Sequence, residues 1–229
     1  MCTDYRRLKG YDEMREEFSH IRIPIRLPVS AAIPNLEPQN EVRPTVPAVV
    51  FRQFEDGVEL ARLRWGLIPF FHRGPLKAWK FATFNARSET LKTTRSYREA
   101  FKRRRCLIAA DGWVEWKGEG KPKPKFYIDR RDAAPICFAG LWDRCETEDA
   151  GIVESFTMVT QPPGAAGDGV GMNRLGDVHD RAPVVLTQQD WARWLDLDAE
   201  VDDLLTASPP DLYRIRPFAD AAPESRLAI

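Results

Sequence analysis

A cysteine follows the first methionine of this chain, and loss of that methionine gives the new terminus two nucleophiles. Methionine aminopeptidase acts before small side chains, and Cys2 qualifies. The mature terminus then carries an α-amine with a pKa of about 8 and a thiol with a pKa of about 8.5. An aldehyde can form a Schiff base with the amine and be trapped by the thiol as a thiazolidine, since ring closure is intramolecular. Taken alone, a cysteine at position two is most often without chemical significance.

Two side chains further along are candidates for moving protons. Glu115 lies between two tryptophans, and in a strand it shares a face with Trp113. Burial beside an indole raises a carboxyl pKa, which suits a general acid or base. The alternative is an exposed glutamate on an edge strand. His179 precedes an aspartate and an arginine, and is either a proton carrier or a turn histidine with a surface ion pair.

Other polar and aromatic side chains have both a structural and a functional interpretation. Asn85 is either a turn residue that bonds its own backbone or a residue that holds another group through its amide. Arg87 and Arg181 suit phosphates, because a guanidinium donates two parallel hydrogen bonds. Trp65 and Trp113 are more often core residues than platforms for stacking bases.

The net charge of zero conceals an uneven distribution. Residues 61–131 hold 19 Lys and Arg against six Asp and Glu, so this segment is strongly basic and the rest is equally acidic. One positive face that binds nucleic acid would explain this pattern. A solvated surface explains it equally well, and Arg103, Arg104 and Arg105 suit the end of a helix, where the dipole favours cations.

Composition indicates a globular protein of a reducing compartment. Of the 229 residues 43% are hydrophobic, and no apolar run approaches the roughly 20 residues that span a bilayer. The first residues lack the apolar stretch of a secretory signal. The four cysteines show no metal-binding spacing, and Cys106 and Cys137 lie in apolar runs that predict buried thiols. We expect a cytoplasmic protein without a structural disulfide.

The elements that position these residues are mostly short strands. Asp56-Gly57 between two β-like runs is a hairpin signal. The Gly-rich stretch 162–173 lacks the strand and helix that flank a phosphate-binding loop. The pattern predicts an α+β fold, with a mixed barrel-like sheet and peripheral helices in one domain over residues 2–229. Predicted helices are Tyr11–Phe18, Ser96–Arg105 and Gln188–Leu195 (capped by Thr187); predicted strands are Ala48–Phe54, Val58–Leu67, Cys106–Trp116, Lys125–Ile128, Pro135–Trp142, Phe156–Thr160 and Pro183–Thr187; Ile23–Pro47 is predicted as an ordered loop.

Taken together and in this order, the motifs resemble one family. ADGWVEW (110–116) and HDRAP (179–183) are the most specific, with support from WGLIP (65–69) and NARSET (85–90). The chain is similar to the SRAP family (SOS response-associated peptidase), which includes sensors of abasic sites in single-stranded DNA. The resemblance runs from Cys2 to about Thr187 and implies an SRAP-like fold.

The resemblance also implies roles for individual residues. Cys2 matches the N-terminal nucleophile, and the other active-site matches are Asn85, Glu115 and His179. The candidates for DNA contact are Arg87, Arg181, Thr160, Trp65 and Pro44.

This chain departs from the family pattern near its start. Thr3-Asp4 replaces Gly-Arg, which removes a phosphate contact and adds a negative charge that Arg6 or Arg7 would have to offset. An asparagine is missing from the segment Glu41–Thr45, the loop 162–178 is longer than expected, and the part after Tyr213 matches poorly.

The function implied is covalent capture of abasic sites in single-stranded DNA as a thiazolidine, with N-terminal self-processing as an associated activity. We expect no cofactor, no metal, no membrane association and a monomer. Two other classes stay open. One is a peptidase that uses Cys2 on an amide with the amine as base. The other is a non-catalytic module that binds single-stranded DNA through its basic face.

Overall fold

The chain folds into many short strands and few short helices. The computed structural model describes residues 2–19, 25–26, 37–54, 57–164, 174–207 and 209–221. No helix in these ranges is long and apolar enough to cross a membrane. The strands are β1 (Tyr5–Arg7), β2 (Ile25–Arg26), β3 (Gln39–Val42), β4 (Pro47–Phe54), β5 (Gly57–Trp65), β6 (Asn85–Arg87), β7 (Arg105–Ala110), β8 (Gly112–Trp116), β9 (Lys125–Arg130), β10 (Ile136–Thr147), β11 (Gly151–Gln161), β12 (Ala182–Pro183) and β13 (Tyr213–Pro217), and the helices are α1 (Tyr11–Phe18), α2 (Arg98–Arg103) and α3 (Trp191–Leu195).

Five of the strands close into a mixed barrel. Antiparallel pairing runs from β11 through β10, β7 and β4 to β5. A parallel pairing of β5 with β11, with Trp65 opposite Phe156, then closes the ring. Beyond this contact β11 pairs with β6, and β12 pairs with its last residues. The barrel-like mixed sheet expected from the sequence is confirmed.

A second, antiparallel sheet stands beside the barrel in the order β13-β9-β8-β1-β3. Its strand β1 lies between β3 and β8, with Tyr5 opposite Val42 on one side and Trp113 on the other. The N-terminal segment is therefore an inner strand of this sheet. This placement fixes the backbone that leads to Cys2.

Alternate residues of the barrel strands pack into two separate cores. One core joins the barrel to the helices and includes Phe18, Phe51 and Trp191, whose rings stack at 3.8 and 4.3 Å between centroids. The other joins the barrel to the second sheet and includes Tyr5 and Trp65. The β-branched, aliphatic and aromatic residues that alternate along these strands suit such two-sided burial.

The run Cys106–Trp116, predicted as one strand, serves both sheets. Strand β7 belongs to the barrel and β8 to the second sheet, with Asp111 between them. The N–H of Asp111 donates to the Arg6 carbonyl (2.9 Å), and its carboxylate accepts from the N–H of Leu8 (2.5 Å). These bonds hold the crossing against the end of β1.

Two predicted helices are shorter than expected. The helix predicted over Ser96–Arg105 ends at Arg103, and Arg105 begins β7 with its guanidinium buried against the Trp194 carbonyl (2.7 Å). Because this charge is used to join β7 to α3, Arg105 does not close a helix.

In the second case, a 3₁₀ turn covers residues 188–190 and α3 starts at Trp191. The Thr187 hydroxyl donates to the Asp190 carboxylate (2.5 Å) and does not cap the backbone.

Several other predictions can be checked directly. Helix Tyr11–Phe18 and the hairpin of β4 and β5 are confirmed. The predicted loop Ile23–Pro47 contains β2 and β3, and its remaining residues lie in part outside the described ranges. Most of the Gly-rich stretch 162–173 also lies outside them. The strand predicted over Pro183–Thr187 is reduced to β12 and a bridge from Val185 to Phe138.

Candidate active site

Cys2 lies in a fully buried position just before β1. Its carbonyl accepts a hydrogen bond from the side-chain amide of Asn85 (2.7 Å), and its thiol is directed at the Asp4 carbonyl (3.7 Å). Burial raises the pKa of this thiol well above its ordinary value, and the nearby Glu115 carboxyl raises it further. The thiol is therefore neutral at physiological pH.

Asn85 reaches Cys2 from the barrel side of the molecule. It begins β6, which runs parallel to β11 with Asn85 opposite Met158. The Tyr97 hydroxyl donates to its carbonyl (3.2 Å) and fixes the backbone. Its side-chain oxygen Oδ1 is buried and accepts no hydrogen bond from the described residues. Asn85 is thus a residue that holds another group, and the turn interpretation is wrong.

Glu115 projects from β8 on the same side as Trp113. Only 2% of Glu115 is exposed, and burial raises the pKa of its carboxyl to about 7. The α-ammonium of the unprocessed chain, which belongs to Met1, opposes this shift, and Asp180 adds to it. The predicted desolvated carboxyl is confirmed, and an exposed edge-strand glutamate is excluded. At neutral pH such a group is available both to donate and to accept a proton.

His179 follows a 3₁₀ turn formed by residues 175–177, and its N–H donates to the Leu175 carbonyl (3.0 Å). Burial lowers the pKa of the imidazole, and the terminal ammonium lowers it further. Nδ1 lies 2.6 Å from an oxygen of the exposed Asp180 carboxylate and also accepts the N–H of Arg181 (3.1 Å). The first contact favours a proton on Nδ1 and the second disfavours it. Burial, the terminal ammonium and Lys123 lower the pKa against the effect of Asp180.

The four predicted catalytic residues therefore surround the N-terminal end of β1. Asn85 bonds Cys2 directly, and Glu115 acts on the Cys2 thiol through its charge. After burial, the terminal ammonium is the largest influence on the pKa of both Glu115 and His179. Cys2 and Glu115 come from the second sheet, whereas Asn85 and His179 come from segments attached to the barrel. The site lies at the seam between the sheets.

The predicted DNA-contacting arginines differ in their surroundings. Arg87 is exposed, and its guanidinium makes no hydrogen bond or ion pair with any residue that the structure describes. Arg181 is only 8% exposed. Its guanidinium makes a two-pronged ion pair with Glu89 (2.5 and 3.0 Å) and donates to the carbonyl of the fully buried Thr160 (2.6 Å). Arg87 has the accessibility that a phosphate contact needs, whereas the Arg181 charge is already paired.

Trp65 does not reach the surface, so the expectation that it contacts DNA directly is wrong. Its ring is fully buried against Tyr5 (5.3 Å between centroids) and Phe156. Its indole N–H donates to the carbonyl of Phe84 (2.8 Å), the residue before Asn85. Trp65 therefore holds the approach to Asn85 from inside the core.

Pro44 is half-buried in a turn over residues 43–46, closed by a bond from the Val46 N–H to the Arg43 carbonyl (3.1 Å). Thr45 takes a φ of +75°, which is strained for a β-branched residue. Its N–H donates to the Trp65 carbonyl (2.7 Å). The turn is thus fastened to the strand end at the barrel closure.

The negative charge added by Asp4 is buried. Burial, and then the nearby Glu41, raise the pKa of Asp4 to about 6. The cations suggested to offset it have other partners. The Arg6 guanidinium lies between the rings of Tyr127 (4.7 Å) and Phe218 (4.8 Å), and Arg7 donates to backbone carbonyls (2.5 Å). Arg6 lowers the pKa of Asp4 only as a minor influence.

The sequence interpretation missed a cluster of aromatic rings between Trp65 and Asn85. Phe70 and Phe81 are 43% and 71% exposed, and Trp79 packs 4.8 Å from Phe81. Backbone N–H groups of this segment are held by Asp143 at Phe70 and by Ser155 at Ile68. The signal was present, since residues 66–88 interleave aromatic and basic residues without one acidic residue. Rings exposed on an anchored loop suit stacking with unpaired bases.

Comparisons with known proteins bear on the family and the fold of the chain. The profile of the family described as SOS response associated peptidase (SRAP) matches residues 1–221. The abasic site processing protein YMR114C of Saccharomyces cerevisiae is 30% identical over 175 residues, which cover 74% of this chain and 44% of the yeast protein. The abasic site processing protein YoqW of Bacillus subtilis is 28% identical over 198 residues, or 85% of this chain and 80% of that protein. A crystal structure from Bordetella bronchiseptica aligns over 94% of this chain and 99% of its own, with a TM-score of 0.73 and 27% identity.

Proposed function

The chain belongs to the SRAP family, and from that premise we propose that it captures abasic sites in single-stranded DNA through Cys2. The proposed product is a thiazolidine that joins the Cys2 terminus to the open-chain sugar of the lesion. The names of its relatives, which describe abasic site processing, support this class of substrate.

One observation carries the proposal: the Asn85 amide holds the buried Cys2 carbonyl at 2.7 Å, close to the buried carboxyl of Glu115. This bond fixes the residue whose amine and thiol must both reach one carbon atom. The unused Oδ1 of Asn85 is an acceptor suited to an N–H of the Cys2 amine. Orientation of this kind accounts for a large part of the rate of an intramolecular ring closure.

The first bond forms between the amine and the sugar. The closed hemiacetal opens to an aldehyde, the Cys2 amine attacks its carbon, and the resulting carbinolamine loses water to give an imine. Opening and dehydration each move a proton to or from oxygen. Glu115, with a pKa of about 7, is suited to both directions, and the neutral imidazole of His179 is suited to accept a proton from the attacking amine.

The second bond closes the ring. The Cys2 sulfur adds to the imine carbon, and the thiol proton is transferred to the nitrogen. The sum of the two steps is one aldehyde and one aminothiol converted to one thiazolidine and one water. Because burial keeps the thiol protonated, a base must accept its proton as sulfur attacks. Glu115 is the charged side chain that most influences this thiol.

Three surface features support single-stranded DNA as the form that is bound. Arg87, at the end of β6 and two residues from Asn85, has an exposed guanidinium that pairs with none of the residues that the structure describes. The exposed rings of Phe70 and Phe81 are suited to stacking with unpaired bases. Lys123, on the β8–β9 hairpin, is near enough to His179 to lower the pKa of its imidazole. These side chains are of the kinds that bind phosphates and stack with unpaired bases.

The protonation state of the Cys2 thiol gives less support to the peptidase alternative. Cysteine peptidases use a thiolate whose pKa is lowered by a neighbouring cation. Here burial raises the pKa of Cys2, and its charged neighbour Glu115 is acidic. Such a thiol is a poor nucleophile for an amide, but it suffices to trap an imine once a base accepts its proton.

Intact-protein mass spectrometry tests the proposal. The Met1-processed chain is incubated with a single-stranded oligonucleotide carrying one abasic site, with an undamaged oligonucleotide as the control. We expect an adduct equal to the sum of the two masses minus one water, absent with undamaged DNA. Cys2→Ser should yield far less adduct that survives heating, because an alcohol is a poorer trap. No adduct from the processed wild-type chain contradicts crosslinking, and salt-sensitive binding alone would then favour the non-catalytic module.

A further inference from the structure

Glu89 is the acidic end of a chain of contacts that leads to His179. It lies in a 3₁₀ turn directly after β6, and its side chain is 46% exposed. Its carboxylate accepts both Nη groups of Arg181 and the hydroxyl of Ser88 (3.1 Å). The hydrogen bonds from Arg181 are the main reason that the pKa of Glu89 is lowered to about 2. The carboxylate is therefore ionised, and the pair is intact, throughout the physiological range.

Arg181 is also held by strand β11. Its Nη2 donates to the carbonyl of the fully buried Thr160 (2.6 Å). Glu89 and Thr160 together therefore fix the position of the Arg181 guanidinium.

The fixed side chain determines where the Arg181 backbone lies. Its N–H points at Nδ1 of His179 (3.1 Å). That bond stabilises the neutral ring with the proton on Nε2, since Nδ1 must act as an acceptor. The competing contact is the Asp180 carboxylate, 2.6 Å from the same nitrogen, which stabilises the protonated ring.

We propose that Glu89 is a positioning residue, which acts through Arg181 to hold the His179 imidazole in its neutral, Nδ1-accepting state. This inference rests on the proposed function for its catalytic consequence, but its structural part concerns the protein without DNA. It also gives Arg181 a role inside the site that does not depend on phosphate contact.

The sign of the His179 pKa change separates this role from a simple charge effect. Removing the Glu89 carboxylate leaves less negative charge near the imidazole and frees the Arg181 cation, and both changes lower the pKa of His179. Loss of positioning has the opposite effect, because the Arg181 N–H no longer stabilises the neutral ring and the Asp180 contact prevails. A positioning role predicts a rise of about half a unit to one unit in Glu89→Ala.

NMR titration of the histidine ring signals measures this directly. The chain has three histidines, so a His179→Gln spectrum assigns the relevant signal. Glu89→Gln, which keeps an acceptor oxygen, should lie between the wild type and Glu89→Ala. Asp203→Ala is the matched control, because Asp203 makes a comparable two-pronged pair with Arg193 (2.8 Å for one contact) elsewhere on the surface. An unchanged or lowered pKa of His179 in Glu89→Ala overturns the proposal.

A crosslinking assay measures the effect of Glu89 on the rate of the proposed reaction. At saturating abasic DNA, Glu89→Ala should crosslink about tenfold more slowly, with partial rescue in Glu89→Gln. Its DNA half-saturation should stay the same or improve, since a negative charge has been removed from the binding face. A wild-type rate in Glu89→Ala, or a loss explained by weaker DNA binding, counts against positioning. Absence of crosslinking in the wild type defeats the proposed function, and the NMR result still decides the role of Glu89.

Discussion

The side-chain amide of Asn85 donates a 2.7 Å hydrogen bond to the backbone carbonyl of Cys2 across the seam between the two sheets. Asn85 belongs to β6 beside the barrel, and Cys2 precedes β1 of the second sheet. Because both residues are buried, this bond is shielded from water and its loss leaves a carbonyl without its partner.

Asn85→Ala should therefore impair crosslinking more than folding. We expect the crosslinking rate to fall about 10- to 100-fold, because the Cys2 terminus loses its orientation, with a loss of unfolding free energy of about 1–3 kcal/mol. Intact mass spectrometry over time and thermal denaturation measure the two effects. Asn40→Ala, at an exposed position of β3, is the matched control. A wild-type crosslinking rate in Asn85→Ala would exclude the orienting role.

Glu115 should make the wild-type protein less stable as the pH rises towards neutrality. Its pKa is about 7 in the folded chain and about 4.5 in the unfolded chain. Between these values the folded chain binds more protons, so the free energy of unfolding falls as pH rises, by on the order of 3 kcal/mol in total. Glu115→Gln should lack this dependence, which denaturant titrations between pH 4 and pH 8 would reveal. Asp4→Asn should remove only the smaller contribution of Asp4 to this pH dependence, which falls between about pH 4 and pH 6. Parallel curves for wild type and Glu115→Gln would contradict a neutral buried carboxyl.

Arg87 should contribute to affinity through phosphate and not through the chemical step. Arg87→Ala should weaken binding to single-stranded DNA and reduce the slope of log affinity against log salt by about 0.7, the value for one phosphate contact. Crosslinking at saturating DNA should be unchanged. Fluorescence anisotropy at several salt concentrations tests this, with Arg193→Ala as a control whose charge is paired with Asp203. Equal salt slopes for Arg87→Ala and the wild type would remove Arg87 from the DNA path.

Phe81 should bind bases by stacking. Phe81→Ala should weaken binding to single strands by about 1–3 kcal/mol, with little change in salt dependence, because the lost contact is uncharged. Ile152→Ala is the control, since Ile152 is also exposed (56%) but lies at the start of β11. If both variants bind like the wild type, the ring cluster has no part in recognition.

Removal of Met1 should precede folding. Cys2 is fully buried and its carbonyl is bonded, so an aminopeptidase can reach the bond before Cys2 only when this segment opens. A folded chain that retains Met1 should be processed at least about 100-fold more slowly than a peptide of the same first residues. Mass spectrometry after aminopeptidase treatment, with and without denaturant, gives the comparison. Rapid trimming of the native chain would show that Cys2 is accessible after folding.

Motif and composition predicted the fold class and the burial of single residues better than the path of individual strands. The desolvation of Glu115 followed from its place between two tryptophans on a strand, and the hairpin of β4 and β5 followed from Asp56-Gly57. The split of Cys106–Trp116 between two sheets could not be predicted from the sequence, because it depends on hydrogen bonds between Asp111 and residues over 100 positions away. The burial of Arg181 also depends on a contact between distant residues. Its partner Glu89 comes within reach only when β6 and β12 both pair with β11.

The seam location of the site has a consequence for the life of the chain. An unfolded copy keeps its aminothiol but has no acid, no base and no amide to hold the terminus, since these arrive from two sheets that must first dock. Under the proposed function, selective capture of a lesion therefore requires a copy that has completed folding. A truncated or heat-damaged copy would keep only the slow aldehyde chemistry of any N-terminal cysteine.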